Sequence, residues 1–411
     1  MASTLPDNPS LDDVCGQACA LQQQASAADP VGSEFVRRHH PDPDRVLAGP
    51  RLDLPDAQLS IARHYGFSSW PALLRYLDVA AELGVDPSRV DEAALDDADR
   101  FCALSVLRYT ETDAPPRRLA AAALLDERPR LVDRHVWAAA AAGDPDAVRA
   151  HLAGDPALST TAGGPFGWTA LMYLCYSRVE LRRTPDDALT AATLLLEAGA
   201  DPNAGYLWRG MSTPFTALTG VFGEGEQGPR RQPRHPIDRE LASLLLAAGA
   251  HPVDQQALYN RMFRPDDSHL ELLFAHGLSD AGPSPWETRL GEAMPTRAQM
   301  WQGQIAWAAG HGYADRLRLL SSNGIDVSGV EVVAPVTPEH PNARNGQGAT
   351  ALHHAAWDGD LPRIRELLDA GADPTLTDTR FNTTAQGWAE HAYQSEAAEL
   401  LRAAAVPPLR E

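Results

Sequence analysis

The 411-residue chain contains no lysine, so arginine supplies all 35 of its strongly basic residues, against 55 acidic ones. The resulting net charge of −20 repels phosphate backbones, and generic nucleic-acid binding is not expected. One local exception is the basic, proline-rich stretch 229–239, "PRRQPRHPIDR", which reads as a solvated loop. Cysteine is scarce. Cys15, Cys19, Cys102 and Cys175 form no C-x-x-C pair and fit no usual zinc spacing, so neither a metal site nor a cofactor is expected. Long apolar runs are missing, and the first residues, "MASTLPDNPSLDD", lack a basic and then apolar leader pattern. The expectation is a cytoplasmic protein with no membrane contact. Catalytic signatures are missing as well: there is no P-loop, no dinucleotide fingerprint, no H-E-x-x-H and no G-x-S-x-G.

What the chain does have is abundant alanine, a usage that suits helices and the coding habit of a high-GC bacterium. It also has a recurring phrase: "LLLEAGADP" (194–202), "LLLAAGAHP" (244–252), "LLFAHGLSD" (272–280), "LLSSNGIDV" (319–327) and "LLDAGADPT" (367–375). The glycines, Gly199, Gly249, Gly277, Gly324 and Gly371, are separated by 50, 28, 47 and 47 residues. The leucine pair ends an apolar helix face. Glycine follows where a helix exits through a left-handed residue, and the next residues begin a turn. Upstream lies a shorter helix. In residues 348–374, Thr350 suits an N-cap, Leu352, Ala355 and Ala356 form a small-residue face, and Gly359-Asp360 breaks it before "LPRIRELLDA".

Residues 348–374, with T-x-L-H-x-A-A, a glycine break and E-L-L-x-x-G-A-D-P, resemble an ankyrin repeat. Thr169-Ala170-Leu171 with "LLLEAGADPN" resembles a second. Residues 132–165, 211–254, 255–282 and 296–333 resemble degenerate copies, and 383–404 a C-terminal cap. The resemblance implies an all-α, ankyrin-type helical solenoid over 132–405, about six repeats plus the cap. The spacing departs from the usual period of about 33 residues. Surplus segments at 177–187 and 223–238 are expected to extend one end of the solenoid, and a third lies at 283–301. Before the array, residues 31–131 read as an irregular helical region, including two helices across 59–78 joined at "GFSSW". Residues 1–30 and 40–57 are expected to be loosely ordered.

In ankyrin repeats the histidine of T-x-L-H bonds loop backbone, and the resemblance implies that role for His353. Tyr259 stands in the same slot of its repeat and is expected to replace that bond. Asp266 or Asp267 is expected to cap the helix after "RPDDSH". The end of each first helix would face a concave groove. The resemblance thus implies a groove presenting Tyr176, Glu224, Phe263, Arg264, His311, Trp357 and Asp358, aromatics with a few charges, which suits a recognition surface. The same residues could instead cap helix ends and touch loops.

Two functions of different class follow. The first is a binding scaffold that holds a protein partner in the groove. The second is a cofactor-independent enzyme or receptor for a flat, partly anionic natural product of secondary metabolism. In that case long loops carrying "YLWRGMSTPF" (206–215) and "PRRQPRH" close the groove into a pocket. Proton-transfer chemistry there, whether dehydration, isomerisation or cyclisation, would use His311 or His354 as base, Tyr176 as acid, and Arg209 or Arg264 to hold an enolate or carboxylate. An open groove would favour the scaffold, and one enclosed cavity the pocket.

Overall fold

From residue 136 onward, a short helix followed by a second helix occurs seven times. The first members are Val136–Ala141, Ala170–Tyr176, Ala217–Phe222, Gln255–Arg261, Arg297–Gly310, Ala351–Asp358 and Ala385–His391. The second members are Pro145–Gly154, Pro185–Glu197, Asp238–Ala247, Ser268–Ala275, Ala314–Ser322, Leu361–Asp369 and Ser395–Ala404. These elements belong to a computed structural model that describes residues 5–179, 184–330, 340–345 and 348–405. The first helices of the first five pairs pack side by side in order, and the second helices of the first four do the same. Alanine explains the close approach: Ala139, Ala140, Ala192 and Ala257 are completely buried. The five phrase glycines all have positive φ, at 98°, 101°, 87°, 83° and 88° in chain order, so each second helix ends through the left-handed exit that only glycine adopts freely.

His353 plays the expected part. Its Nδ1 accepts from the Thr350 N–H at 3.1 Å, and its Nε2 donates to the Thr383 carbonyl of the next pair at 3.3 Å. Tyr259 does not: its side chain is exposed and its hydroxyl donates to Glu226 of an inserted segment. Asp267 occupies the N-cap position of the helix that follows it, but Arg316 takes its carboxylate; Asp266 instead accepts from the Ser268 N–H at 2.9 Å.

Three expectations change. Residues 1–30 hold the helix Leu11–Ser26, capped by Ser10, and Ala18 and Leu21 pack into one core with Val36 and Ile61. That apolar face is what orders it. Within 40–57 the short helix Pro43–Leu47 buries Val46 in the same core. The expected pair across 59–78 appears as Leu54–His64 and Trp70–Leu83. The fold is mostly helical but not purely so. Strands β1 (Gly84–Val85), β2 (Gly205–Trp208) and β3 (Phe215–Thr216) form a small sheet in that order, β1 parallel to β2 and β3 antiparallel to it. The sheet pins the N-terminal helices to the second and third pairs.

The third change concerns the surplus segments. Residues 180–183 of the first lie outside the described residues. The second, 223–238, is neither an extension of one end nor a solvated loop: Arg231, Gln232 and His235 are buried. It runs as a strap. Arg231 donates to the Glu111 carbonyl on the N-terminal side and to the His391 carbonyl in the last pair, the latter at 3.2 Å. Arg118 holds the Arg230 carbonyl at 3.0 Å. The strap matters because the last two pairs have their own core, around Leu352, Ile364, Leu367 and Leu401, separate from the large core of the preceding ones. Among the described residues, no helix is long and apolar enough to cross a membrane.

Candidate functional site

Two features converge beside the strap. The first is a cavity of about 900 Å³. Its walls come from distant parts of the chain: Arg108–Thr112, the β2–β3 hairpin, the strap at 225–232, the helix Gln255–Arg261 and the helix Arg297–Gly310. The hairpin is fixed by Trp208, whose indole N–H donates to the Arg108 carbonyl at 2.9 Å. Tyr109 packs edge-on against Phe215, with ring centres 4.9 Å apart. Burial pushes the Tyr109 phenol above its usual range, so this ring stays neutral. The deep surface carries side-chain amides. Thr213 donates to Gln256 Oε1 at 2.7 Å, and Gln256 Nε2 donates to Asn260 Oδ1 at 2.9 Å. Gln304 Nε2 donates to the Leu258 carbonyl at 2.8 Å.

The second feature is a row of rings at the ends of successive first helices. Tyr259 meets Phe263 at 5.2 Å, Phe263 meets Trp307 at 4.9 Å, and Trp307 stacks on His311 at 4.0 Å. Across the break between cores, His354 lies edge-on to Trp388 at 5.5 Å and Trp357 stacks on His391 at 5.6 Å. Desolvation, with His311 and His353 nearby, lowers the pKa of His354 below its ordinary value. Arg264 and Asp358 face each other at 3.9 Å and join the two halves of the row. Burial raises the Asp358 carboxyl, with Arg264 opposing the shift.

The residues expected at the groove separate into three groups. Phe263, Arg264, His311, Trp357 and Asp358 belong to the row or its ion pair, with Trp357 partly covered by the strap: a Cβ on Gly228 would stand 2.9 Å from its Nε1. Tyr176 is a correction. It is completely buried, its ring lies over Gly220, and its hydroxyl donates to the Thr216 carbonyl at 2.9 Å. Burial pushes its phenol far up, which leaves it no role as an acid. Glu224 is a correction too, buried and paired with Arg234 at 2.9 Å and Arg261 at 3.7 Å. Among the proton-transfer candidates, Arg209 lines the cavity, whereas Arg264, His311 and His354 stand on the row and Tyr176 in the core. They do not meet at one point. Asn260, Gln304 and Tyr109 were not anticipated. The only signal for Asn260 and Gln304 was polarity at helix positions that neighbouring repeats fill with small or apolar residues, and Tyr109, outside any helix, carried none.

A family model described as ankyrin repeats (many copies) matches residues 305–365, from within Arg297–Gly310 to within Leu361–Asp369. No curated protein matches the chain.

Proposed function

We propose that this ankyrin-repeat chain is a binding protein of the cytoplasm that recognises a polypeptide partner along its row of rings. On this reading residues 132–405 form one ankyrin-type solenoid behind an N-terminal helical region, 31–131, and the row lies on its concave side. The observation that carries the proposal is the run Tyr259, Phe263, Trp307 and His311. Rings at contact distance, with Tyr259 and His311 exposed, form an anchor surface of the kind that dominates protein interfaces. The net charge of −20 favours a basic partner through steering. The dispersal of the proton-transfer candidates favours binding over catalysis.

The test places a photo-reactive phenylalanine at Trp307, and separately at Glu197 on a second helix, in the producing cell. The expected result is one protein adduct from position 307 and none from 197, lost when Phe263→Ala is added. Adducts from both positions alike, or from neither, refute the reading.

A further inference from the structure

Independently of any polypeptide partner, we propose that the cavity is a binding site for an uncharged ring compound that carries an amide-type carbonyl and N–H, of the lactam, pyrimidine or flavin kind. Three observations converge. The cavity runs from an exposed rim to a buried floor: Asn260, Gln304, Phe215 and Arg108 are 2–5% exposed, while Met211 and Tyr259 are 42% and 41% exposed. An extended chain needs a groove with two open ends; a compact molecule needs one mouth.

The bottom offers unmatched polar atoms. Gln304 turns its N–H toward the Leu258 carbonyl, which fixes Oε1 as its free end, and that buried oxygen has no partner among the described residues. Asn260 accepts through Oδ1, and its buried Nδ2 lies beside the Tyr109 hydroxyl, which can take at most one of its two N–H groups. Buried polar groups are normally satisfied. A ligand acceptor would complete Asn260, and a ligand N–H or O–H would complete Gln304.

Among the described residues the deep wall offers no free charge, and its carboxylates Glu111 and Glu226 stand exposed at the rim. Arg108 pairs with Glu92 at 2.7 Å, Arg209 with Asp86 at 3.2 Å, and Glu226 accepts from Tyr259. An anionic ligand would have to break an arginine pair and pass the rim carboxylates, so the floor suits an uncharged molecule and not the partly anionic one expected from the sequence. Tyr109, Phe215 and Met300 give a ring its apolar contacts.

Gly303 supplies a clean control. It lies within the helix Arg297–Gly310 on the cavity wall, and a Cβ there meets nothing within 4 Å. Gly303→Trp therefore adds a large ring at the cavity wall from a position where the Cβ itself meets no neighbour. The experiment titrates the full-length protein with riboflavin, uridine and inosine, and with riboflavin phosphate as the charged counterpart, read by calorimetry and by flavin fluorescence. At least one uncharged probe is expected to saturate below ~1 mM. Its affinity should fall about tenfold or more in Gly303→Trp, and about tenfold in Asn260→Leu, which leaves a ligand acceptor unpaired. Trp307→Ala, which alters the row but not the cavity, should bind the probe as before, so that failure of the partner reading and failure of this one are told apart. The proposal is overturned if no uncharged probe saturates, if binding survives Gly303→Trp, or if the phosphate binds as tightly as riboflavin.

Discussion

Arg316 is the residue whose loss should be felt most sharply. It is completely buried, and its guanidinium reaches three groups of the preceding pair at once. Nε donates to Asp267 at 2.5 Å, Nη1 to the Met262 carbonyl at 2.7 Å, and Nη2 to the Arg264 carbonyl. These acceptors bracket the turn between Gln255–Arg261 and Ser268–Ala275, the turn that presents Phe263 to the row. Arg316→Met keeps the stem volume but strands a half-buried carboxylate and two carbonyls. Removing one partner of a buried pair costs about 3–5 kcal/mol. At ~1.4 kcal/mol per decade, amide exchange in peptides covering 262–275 should speed up by roughly a hundredfold to a few thousandfold. Arg316→Lys keeps the charge but not the planar fork, so it should fall between the two. Hydrogen exchange with mass-spectrometric readout measures this directly. If Arg316→Met changes exchange there by less than threefold, or if lysine restores wild-type protection, the clamp is not what orders the turn.

Acid should destabilise the protein through His269, which is buried with neither ring nitrogen partnered among the described residues and is held well below its ordinary pKa by burial, with Arg261 and Arg316 adding to the shift. The unfolded state protonates below about 6.5 while the folded state does not, so stability present above that pH is lost at ~1.4 kcal/mol per unit as pH falls. His269→Leu should remove that contribution, seen as a shallower fall of the denaturation midpoint between pH 7 and pH 5; equal slopes would contradict it. Gly359 and Gly303 should respond oppositely to alanine. Gly359 has φ of 69°, and a Cβ there would stand 2.4 Å from Gln394 Oε1, so its substitution should cost at least ~1 kcal/mol. Gly303→Ala, in open space within a helix, should gain ~0.5–1 kcal/mol, and calorimetric melting temperatures should move in opposite directions. Arg231→Ala should loosen the strap and speed tryptic cleavage at Arg230 and Arg234; unchanged cleavage would mean that other contacts hold it.

What could be read from the sequence was what repeats locally. The left-handed glycines and the Thr350–His353 bond depend on residues within a few positions of one another or on the adjacent pair. Tyr176 was misplaced because its environment is set elsewhere. Gly220, in the next first helix, leaves the gap over which its ring lies, so an end position that faces outward in a regular repeat turns inward here. The cavity was unreadable for a related reason. Trp208 bonds Arg108 across 100 residues and Arg231 bonds Glu111 across 120, and no periodicity encodes such pairs. Residues of "YLWRGMSTPF" line the cavity, and the facing wall, Arg108–Thr112, carries no motif.

The strap changes what the ends of the first helices can do. A bare array would leave its first-helix ends open along their whole length. Here residues 223–238 cross those ends, bury Glu224 in an ion-pair cluster and touch Trp357, so the open surface is divided. On one side the rings from Phe263 to His311 remain accessible; on the other, hairpin, strap and helices close around the amides. Tyr259 stands at the boundary, its ring against Phe263 and its hydroxyl on the strap's Glu226. A ligand that shifted Tyr259 at the cavity mouth would therefore also move the first ring of the row. Coupling of this kind requires unequal affinity of the ligand for the two Tyr259 positions and is reciprocal. Tyr259→Phe, which frees the ring from Glu226 but keeps its contact with Phe263, should leave each site able to bind while weakening the dependence of one on the other.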